Sequence, residues 1–224
     1  MRCLQVSLPN GEVLKLSNPD NREILERGPL SVGSLSLLRE SSVYGCCKLL
    51  SVFPSQLLPM LRDLEKLFVK SCNLLEVVFE SGVVDSSGPN PDILSSLKRV
   101  ELHMLPKLNY ISKRDPIGFN YIKTLDIDHC DMLRYVFSPT MMKSFQKLRR
   151  LKISKCEMLS RIVAEENGLG ERSVEEVEFP ELKELELHDR RNLVSFFPDA
   201  NNPLQPQALF NAKVNRRSNF LLKF

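Results

Sequence analysis

The chain has 224 residues, 42% of them apolar and 26% charged, and a formal net charge of +3. This composition is typical of a folded domain or a short solenoid, and the small net charge argues against a nucleic-acid-binding protein, which would need a concentrated basic surface. No apolar run approaches the roughly 20 residues needed to cross a bilayer, and the turn residues "PNG" at 9–11 interrupt the N-terminus before a secretion signal could form. We therefore expect an intracellular protein without a membrane span, in the cytoplasm or the nucleus.

The N-terminal segment, residues 1–37, contains turn signals such as "LPNG" and "SNPDN" but no repeat. We expect it to be a non-repeat segment that either packs against the rest of the chain as a cap or remains loose.

From residue 38 onwards the chain repeats itself. The stretches "IKTLDIDHCDMLRYVF" and "LRRLKISKCEMLSRIV" begin at residues 122 and 148 and share the pattern L-x-x-L-x-I-x-x-C-x-x-L, apart from an isoleucine at the first position of the earlier copy. Related copies start at residues 38, 64, 97, 122, 148 and 182. The L-x-I alternation is the period of a β-strand, and this spacing is typical of leucine-rich repeats.

The repeats predict an α/β leucine-rich-repeat solenoid shaped like a horseshoe. A parallel β ladder would form its concave face, and short helices and loops its convex face. The domain organisation is then a non-repeat segment (1–37), six repeats (38–197) and a tail (198–224), which either caps the last repeat or is a disordered remnant.

The cysteines follow the repeats. Four of the six, Cys46, Cys72, Cys130 and Cys156, occupy the turn position after the strand, which is Asn or Cys in leucine-rich repeats. We interpret these four as structural core residues, because the cysteines are too dispersed for a zinc site. We expect no metal and no cofactor.

The segments between the strands vary in length. The spacers "PSQLLPMLRD" (54–63) and "SPTMMKSFQK" (138–147) predict short helices, and the polar insertions 80–92 and 164–178 predict exposed loops.

The variable strand positions should form three columns on the concave face, with an acidic centre at Glu101, Asp126 and Asp128 and basic residues in the next copy. We expect Lys152 to pair with Asp126 or Glu186, and Arg150 with Glu184. Two interpretations remain open: a solvated charged surface or a partner-binding face, with Tyr44, Phe68 and Tyr121 as aromatic anchors. The candidate binding residues are Tyr44, Lys66, Phe68, Lys70, Arg99, Glu101, His103, Asp126, Asp128, Arg150, Lys152, Glu184, Glu186 and His188.

One column contains His103, Asp128, Ser154 and His188. In a hydrolase triad the histidine stands between the serine and the carboxylate, whereas here Ser154 would separate Asp128 from His188. We therefore predict that the protein is not an enzyme and has no small-molecule substrate.

The stretches "LRRLKISKCEMLSRIV", "LEKLFVKSCNLLEVVF" and "FPELKELELHDRRNLVSFF" resemble the leucine-rich-repeat region of plant intracellular disease-resistance proteins of the coiled-coil/NB-ARC/LRR class. The resemblance implies recognition of a pathogen effector, a guarded host protein or the receptor's own nucleotide-binding (NB-ARC) domain. The chain lacks a G-x-x-x-x-G-K-[ST] motif, so we predict only the sensor part of such a receptor, without ATP binding. The alternatives are a scaffold or substrate adaptor unrelated to immunity, and a non-functional truncated product.

Overall fold

The computed structural model describes residues 5–7, 12–17, 35–80, 93–112, 119–138, 145–164, 180–188 and 221–223. Most of the two insertions, most of the C-terminal tail, and the residues Cys3 and Arg190 lie outside these ranges, as does 139–144 of the second spacer.

Twelve strands lie within the described residues, in two sheets. In chain order they are β1 (Gln5–Ser7), β2 (Val13–Ser17), β3 (Glu40–Tyr44), β4 (Ser51–Phe53), β5 (Lys66–Lys70), β6 (Val77–Phe79), β7 (Arg99–His103), β8 (Tyr110–Ser112), β9 (Thr124–Asp128), β10 (Arg150–Ser154), β11 (Glu184–His188) and β12 (Leu221–Lys223). The larger sheet has nine strands in the spatial order β1-β2-β3-β5-β7-β9-β10-β11-β12, and the smaller has the order β4-β6-β8.

The larger sheet is a parallel ladder in register, except that β1 pairs with β2 antiparallel. Each strand from β3 to β11 in this sheet begins two residues after a predicted repeat start. Leu125, for example, stands between Val100 and Leu151. Equivalent residues of neighbouring repeats thus stand opposite one another, because one face of every strand must be buried and this fixes its register.

Strand β2 lies inside segment 1–37, in which the sequence analysis finds no repeat. Its residues Leu14 and Leu16 pair with Ser41 and Val43 of β3 and are almost completely buried. This segment therefore adds a strand to the ladder. Its L-x-L core is too short to be recognised without the further apolar positions that mark the later copies.

In the ladder strands from β2 to β11, the second and fourth residues point into a continuous apolar core. A row of phenylalanine rings runs through this core from one repeat to the next, with ring centroids 4.3–6.1 Å apart. We call each structural repeat, a ladder strand with the segment that follows it, a coil. Its members are Phe53, Phe79, Phe119, Phe145 and Phe137. The row includes two residues of the smaller sheet, Phe53 and Phe79, and residues of the segments that precede β9 and β10, Phe119 and Phe145.

The first spacer contains a 3-10 helix, Ser55–Met60, which buries Leu57 and Leu58 and includes Pro59. A second 3-10 helix, Phe119–Tyr121, precedes β9. These segments are too short for a stable α-helix, and an internal proline removes a backbone donor. No helix in the described part of the chain is long and apolar enough to cross a membrane.

Candidate functional site

The outward side chains of β3, β5, β7, β9, β10 and β11 form what we call the ladder face, which consists of the first, third and fifth residue of each strand. These alternate with the buried second and fourth residues because strand side chains point to opposite sides. The structure places all fourteen candidate residues at these positions. Residues at the same position of adjacent strands stand opposite one another.

The N-terminal part of the ladder face is basic and aromatic. Tyr44 is 58% exposed, and Lys70 stands opposite it in the register. Lys66 pairs with Glu40 at 3.4 Å between Nζ and Oε2. The guanidinium of Arg99 lies 5.8 Å from the ring centroid of Phe68, within the range of a cation–π contact. Arg99 therefore partly covers the outward phenylalanine.

The centre of the ladder face is a charged cluster around Asp126. One carboxylate oxygen lies 3.5 Å from His103 Nε2 and the other 3.7 Å from Lys152 Nζ. The contact with Asp126 raises the pKa of His103 against the opposing effect of burial. Burial alone would raise the pKa of Asp126, but His103 and Lys152 outweigh it and lower that pKa. The predicted pairing of Lys152 with Asp126 is confirmed.

Asp128 forms a second polar group beside this cluster. It accepts hydrogen bonds from Ser154 Oγ at 2.7 Å and from His129 Nδ1 at 2.6 Å. Burial tends to raise the pKa of Asp128, but these two donors lower it. The Asp128 carboxylate stands between Ser154 and His129, so His129 is not placed to take the serine proton as the histidine of a hydrolase triad does.

His129 belongs to this group although the repeat pattern does not point to it. The residue follows the end of β9 and lies outside the strand columns, yet its left-handed backbone (φ 51°) turns the ring back towards Asp128. The tripeptide "DHC" (128–130), where β9 ends and the turn begins, is the feature of the sequence that indicates this contact.

The C-terminal part of the ladder face is internally paired. Arg150 contacts Glu184 at 3.2 Å and Glu186 at 3.3 Å, and His188 lies 3.7 Å from Glu186. The predicted pair of Arg150 with Glu184 is confirmed. The side chain of Glu186 is only 7% exposed, so its carboxylate serves the neighbouring cations and offers little surface to a partner.

Tyr121, the third predicted anchor, lies on a 3-10 helix outside the strand columns and is 47% exposed. It is therefore not part of the ladder face, which consists of strand residues.

The four turn cysteines are buried, Cys46 and Cys72 in one pair of adjacent repeats and Cys130 and Cys156 in another. Cys46 and Cys130 each point at the carbonyl of a preceding coil, Leu16 at 4.0 Å and Leu102 at 3.6 Å. Burial raises the pKa of Cys130, which makes its thiolate unfavourable. Within the described residues, no group of three His, Cys, Asp or Glu side chains could hold a metal ion.

Comparison with known families adds one match. A family model described as plant disease resistance protein RPS2-like, leucine-rich repeats, matches residues 10–157. These residues make up about two thirds of the chain and run from just before β2 to just after β10. The match therefore includes the strand that the repeat pattern alone leaves out. No curated protein and no solved structure matches the chain.

Proposed function

Since the chain belongs to the RPS2-like leucine-rich repeats of plant disease resistance proteins, we propose that its ladder face recognises a protein partner in plant immunity. The partner would be a pathogen effector, a guarded host protein or a nucleotide-binding domain of a receptor that carries these repeats. This family of repeats suggests a protein-interaction role.

The in-register ladder is the observation that carries the proposal. Six consecutive strands hold their outward side chains in three straight columns on a buried core. Because the strands are about 4.8 Å apart and packed on that core, the face is already ordered before a partner arrives. A surface fixed in this way loses little conformational entropy on binding.

The two halves of the ladder face differ in how many of their groups remain available. From β7 to β11, ion pairs join Arg99 to Glu101, Asp126 to Lys152, and Arg150 to two glutamates. In β3 and β5, Lys66 pairs with Glu40. Tyr44, however, is mostly exposed, and Lys70 forms no ion pair with any residue in the described ranges. We place the main partner contact at Tyr44 and Lys70, because tyrosine is enriched at binding hot spots and an exposed lysine can attract an acidic group of a partner.

The experiment uses the full chain against purified candidates of the three partner classes, with the dissociation constant measured by biolayer interferometry. For the true partner, Tyr44→Ala and Lys70→Glu should each weaken binding about tenfold, which is about 1.4 kcal/mol. Lys107→Glu is the matched control: this lysine is exposed and lies beyond the end of β7, off the ladder face. If Lys107→Glu weakens binding as much as the two face variants, the ladder face is not the binding site.

A further inference from the structure

The residue immediately before each ladder strand belongs to a second column, which we call the flanking column. Its members are stacked directly on one another, because the backbone N–H of each donates to the carbonyl of the previous one at 2.7–2.9 Å. In order they are Glu12, Arg39, Glu65, Lys98, Lys123, Arg149 and Lys183.

The first four members alternate in charge and neutralise one another. Arg39 lies 3.9 Å from Glu12 and 3.6 Å from Glu65, and Lys98 Nζ lies 3.0 Å from Glu65 Oε2. The hydrogen bond from Lys98 lowers the pKa of Glu65. In this half of the flanking column, each carboxylate sits beside the cations of the neighbouring coils.

The last four members, from Lys98 to Lys183, are all cations. Stacked like charges on neighbouring strands destabilise a sheet. Glu181 relieves part of this repulsion, contacting Arg149 at 3.0 Å and Lys147 at 2.6 Å. Lys123 and Lys183 have no ion pair with any residue that the structure describes.

We propose that the flanking column from Lys98 to Lys183 is a second interaction surface, which binds an acidic segment of a partner protein. The partner's carboxylates would lie between these cations, as Glu65 lies between Arg39 and Lys98 in the first half of the column. This surface is separate from the ladder face.

Two observations favour carboxylates over the phosphates of a nucleic acid. Glu181 already bridges two cations beside the column, so the spacing of the cations suits a carboxylate. Proteins that bind single-stranded nucleic acid stack bases on aromatic side chains, and Tyr121, two residues before Lys123, is the one exposed aromatic side chain near this stretch in the described part of the chain.

The substitution Lys123→Glu tests the surface with two independent measurements. It restores the alternation of charge between Lys98 and Arg149, so the melting temperature of the free chain should rise. The same substitution should weaken the binding of an acidic probe about tenfold, and Lys123→Gln about threefold, as charge reversal removes more attraction than neutralisation. A merely structural lysine would change stability without changing the binding of the probe.

The probe is a fluorescein-labelled peptide of about 12 residues in which Glu alternates with Ser, long enough to span four coils about 4.8 Å apart. Fluorescence anisotropy with the full chain gives its affinity, and a peptide with Gln in place of Glu gives the background. Lys107→Glu is the control of equal charge change, and it should leave the affinity within about twofold because the remaining long-range effect is screened by salt.

Three results would overturn the proposal. The first is unchanged peptide binding by the folded Lys123→Glu variant. The second is tighter binding of a single-stranded oligonucleotide of similar length than of the peptide. The third is peptide binding only after Glu175, Glu176 and Glu178 are replaced by Gln, since the chain's own acidic insertion would then be the occupant.

Discussion

Ser41 occupies a buried position that Leu14 and Leu67 hold in the strands on either side. Its side chain is inaccessible to solvent, and its Oγ has no hydrogen-bond partner among the described residues. A buried hydroxyl without a partner costs about 1–3 kcal/mol. This residue therefore weakens the ladder locally.

We predict that Ser41→Ala raises the free energy of unfolding by about 1 kcal/mol, because it removes the unpaired hydroxyl and retains most of the packing. Urea denaturation of both proteins provides the measurement. Ser42→Ala, on the half-exposed side of the same strand, is the control and should change little. A loss of stability in Ser41→Ala would mean that the hydroxyl does have a partner.

His103 should make the stability of the chain depend on pH. Its contact with Asp126 raises its pKa in the folded state, so its stabilisation is fully present below the unfolded pKa of about 6.5 and is lost as the pH rises through the folded value. The pKa of Asp126 is lowered, so its own contribution persists above about pH 3.8 and is lost only as the pH falls through its folded value.

We therefore predict that His103→Gln lowers stability by about 0.5 kcal/mol near pH 6 and has a smaller effect at pH values above the folded pKa of His103. The measurement is the melting temperature of the wild-type chain and of His103→Gln, taken at pH 6 and at a pH above the folded pKa of His103. A difference that stays constant with pH would show that His103 acts by packing and not by its charge.

The cross-strand pairs show how far single residues follow from the sequence. Once the repeats are aligned, Arg150 with Glu184 and Lys152 with Asp126 are neighbours by register, and both pairs form. The burial of Glu186 was not predictable, because it depends on how Arg150 and His188 orient their side chains. Register determines which residues are adjacent, and side-chain conformation determines which of them stay accessible.

At the scale of the element, the turn after the ladder strand uses the same left-handed backbone in five successive coils. The residues are Gly45, Ser71, Met104, His129 and Lys155, with φ between 51° and 64°. This conformation costs a non-glycine residue roughly 1–2 kcal/mol. Four of the five turns therefore carry strain, which the adjacent buried core offsets.

We predict that Lys155→Gly stabilises the chain by about 1 kcal/mol and that Gly45→Ala destabilises it by a similar amount. A Cβ at position 45 would meet nothing within 4 Å, so the loss would be conformational and not steric. Chemical denaturation measures both changes. If Gly45→Ala were neutral, the turn would have to relax to an ordinary backbone conformation at little cost.

The sequence predicts the strands well and the connecting segments less well. Strand positions follow from alternating apolar residues, since one face must be buried. The left-handed turns carry no consistent residue type, as Ser, Met, His and Lys all occupy them. The 3-10 helix Ser55–Met60 agrees with a short helical spacer, but its type depends on an internal proline and on packing against the core.

At the scale of the whole molecule, each coil of a solenoid is stabilised mainly by the coils on either side of it. Leu125 in β9 is buried between β7 and β10, near the middle of the ladder, whereas Leu14 in β2 is buried near its N-terminal end. The same kind of substitution should therefore have different consequences at the two positions.

We predict that Leu125→Asp abolishes cooperative unfolding, because an unpaired buried charge costs several kcal/mol in a protein whose total stability is about 5–15 kcal/mol. Leu14→Asp should leave a folded C-terminal part with a smaller unfolding transition. Circular dichroism and limited proteolysis distinguish the two outcomes. Equal loss of structure in both variants would mean that the ladder folds as a single unit.

The uniform register of the ladder has a consequence for how such a chain can change in length. Each coil presents the same set of backbone donors and acceptors on its two sides, so a coil interface is interchangeable with the next one. Duplication of residues 122–147, which span one period between two copies of the repeat, would insert a further coil without altering the pairing of any other strand. Recombination can therefore add or remove whole coils without disturbing the rest of the ladder. The insertion of one residue within a strand, in contrast, would exchange its buried and exposed sides.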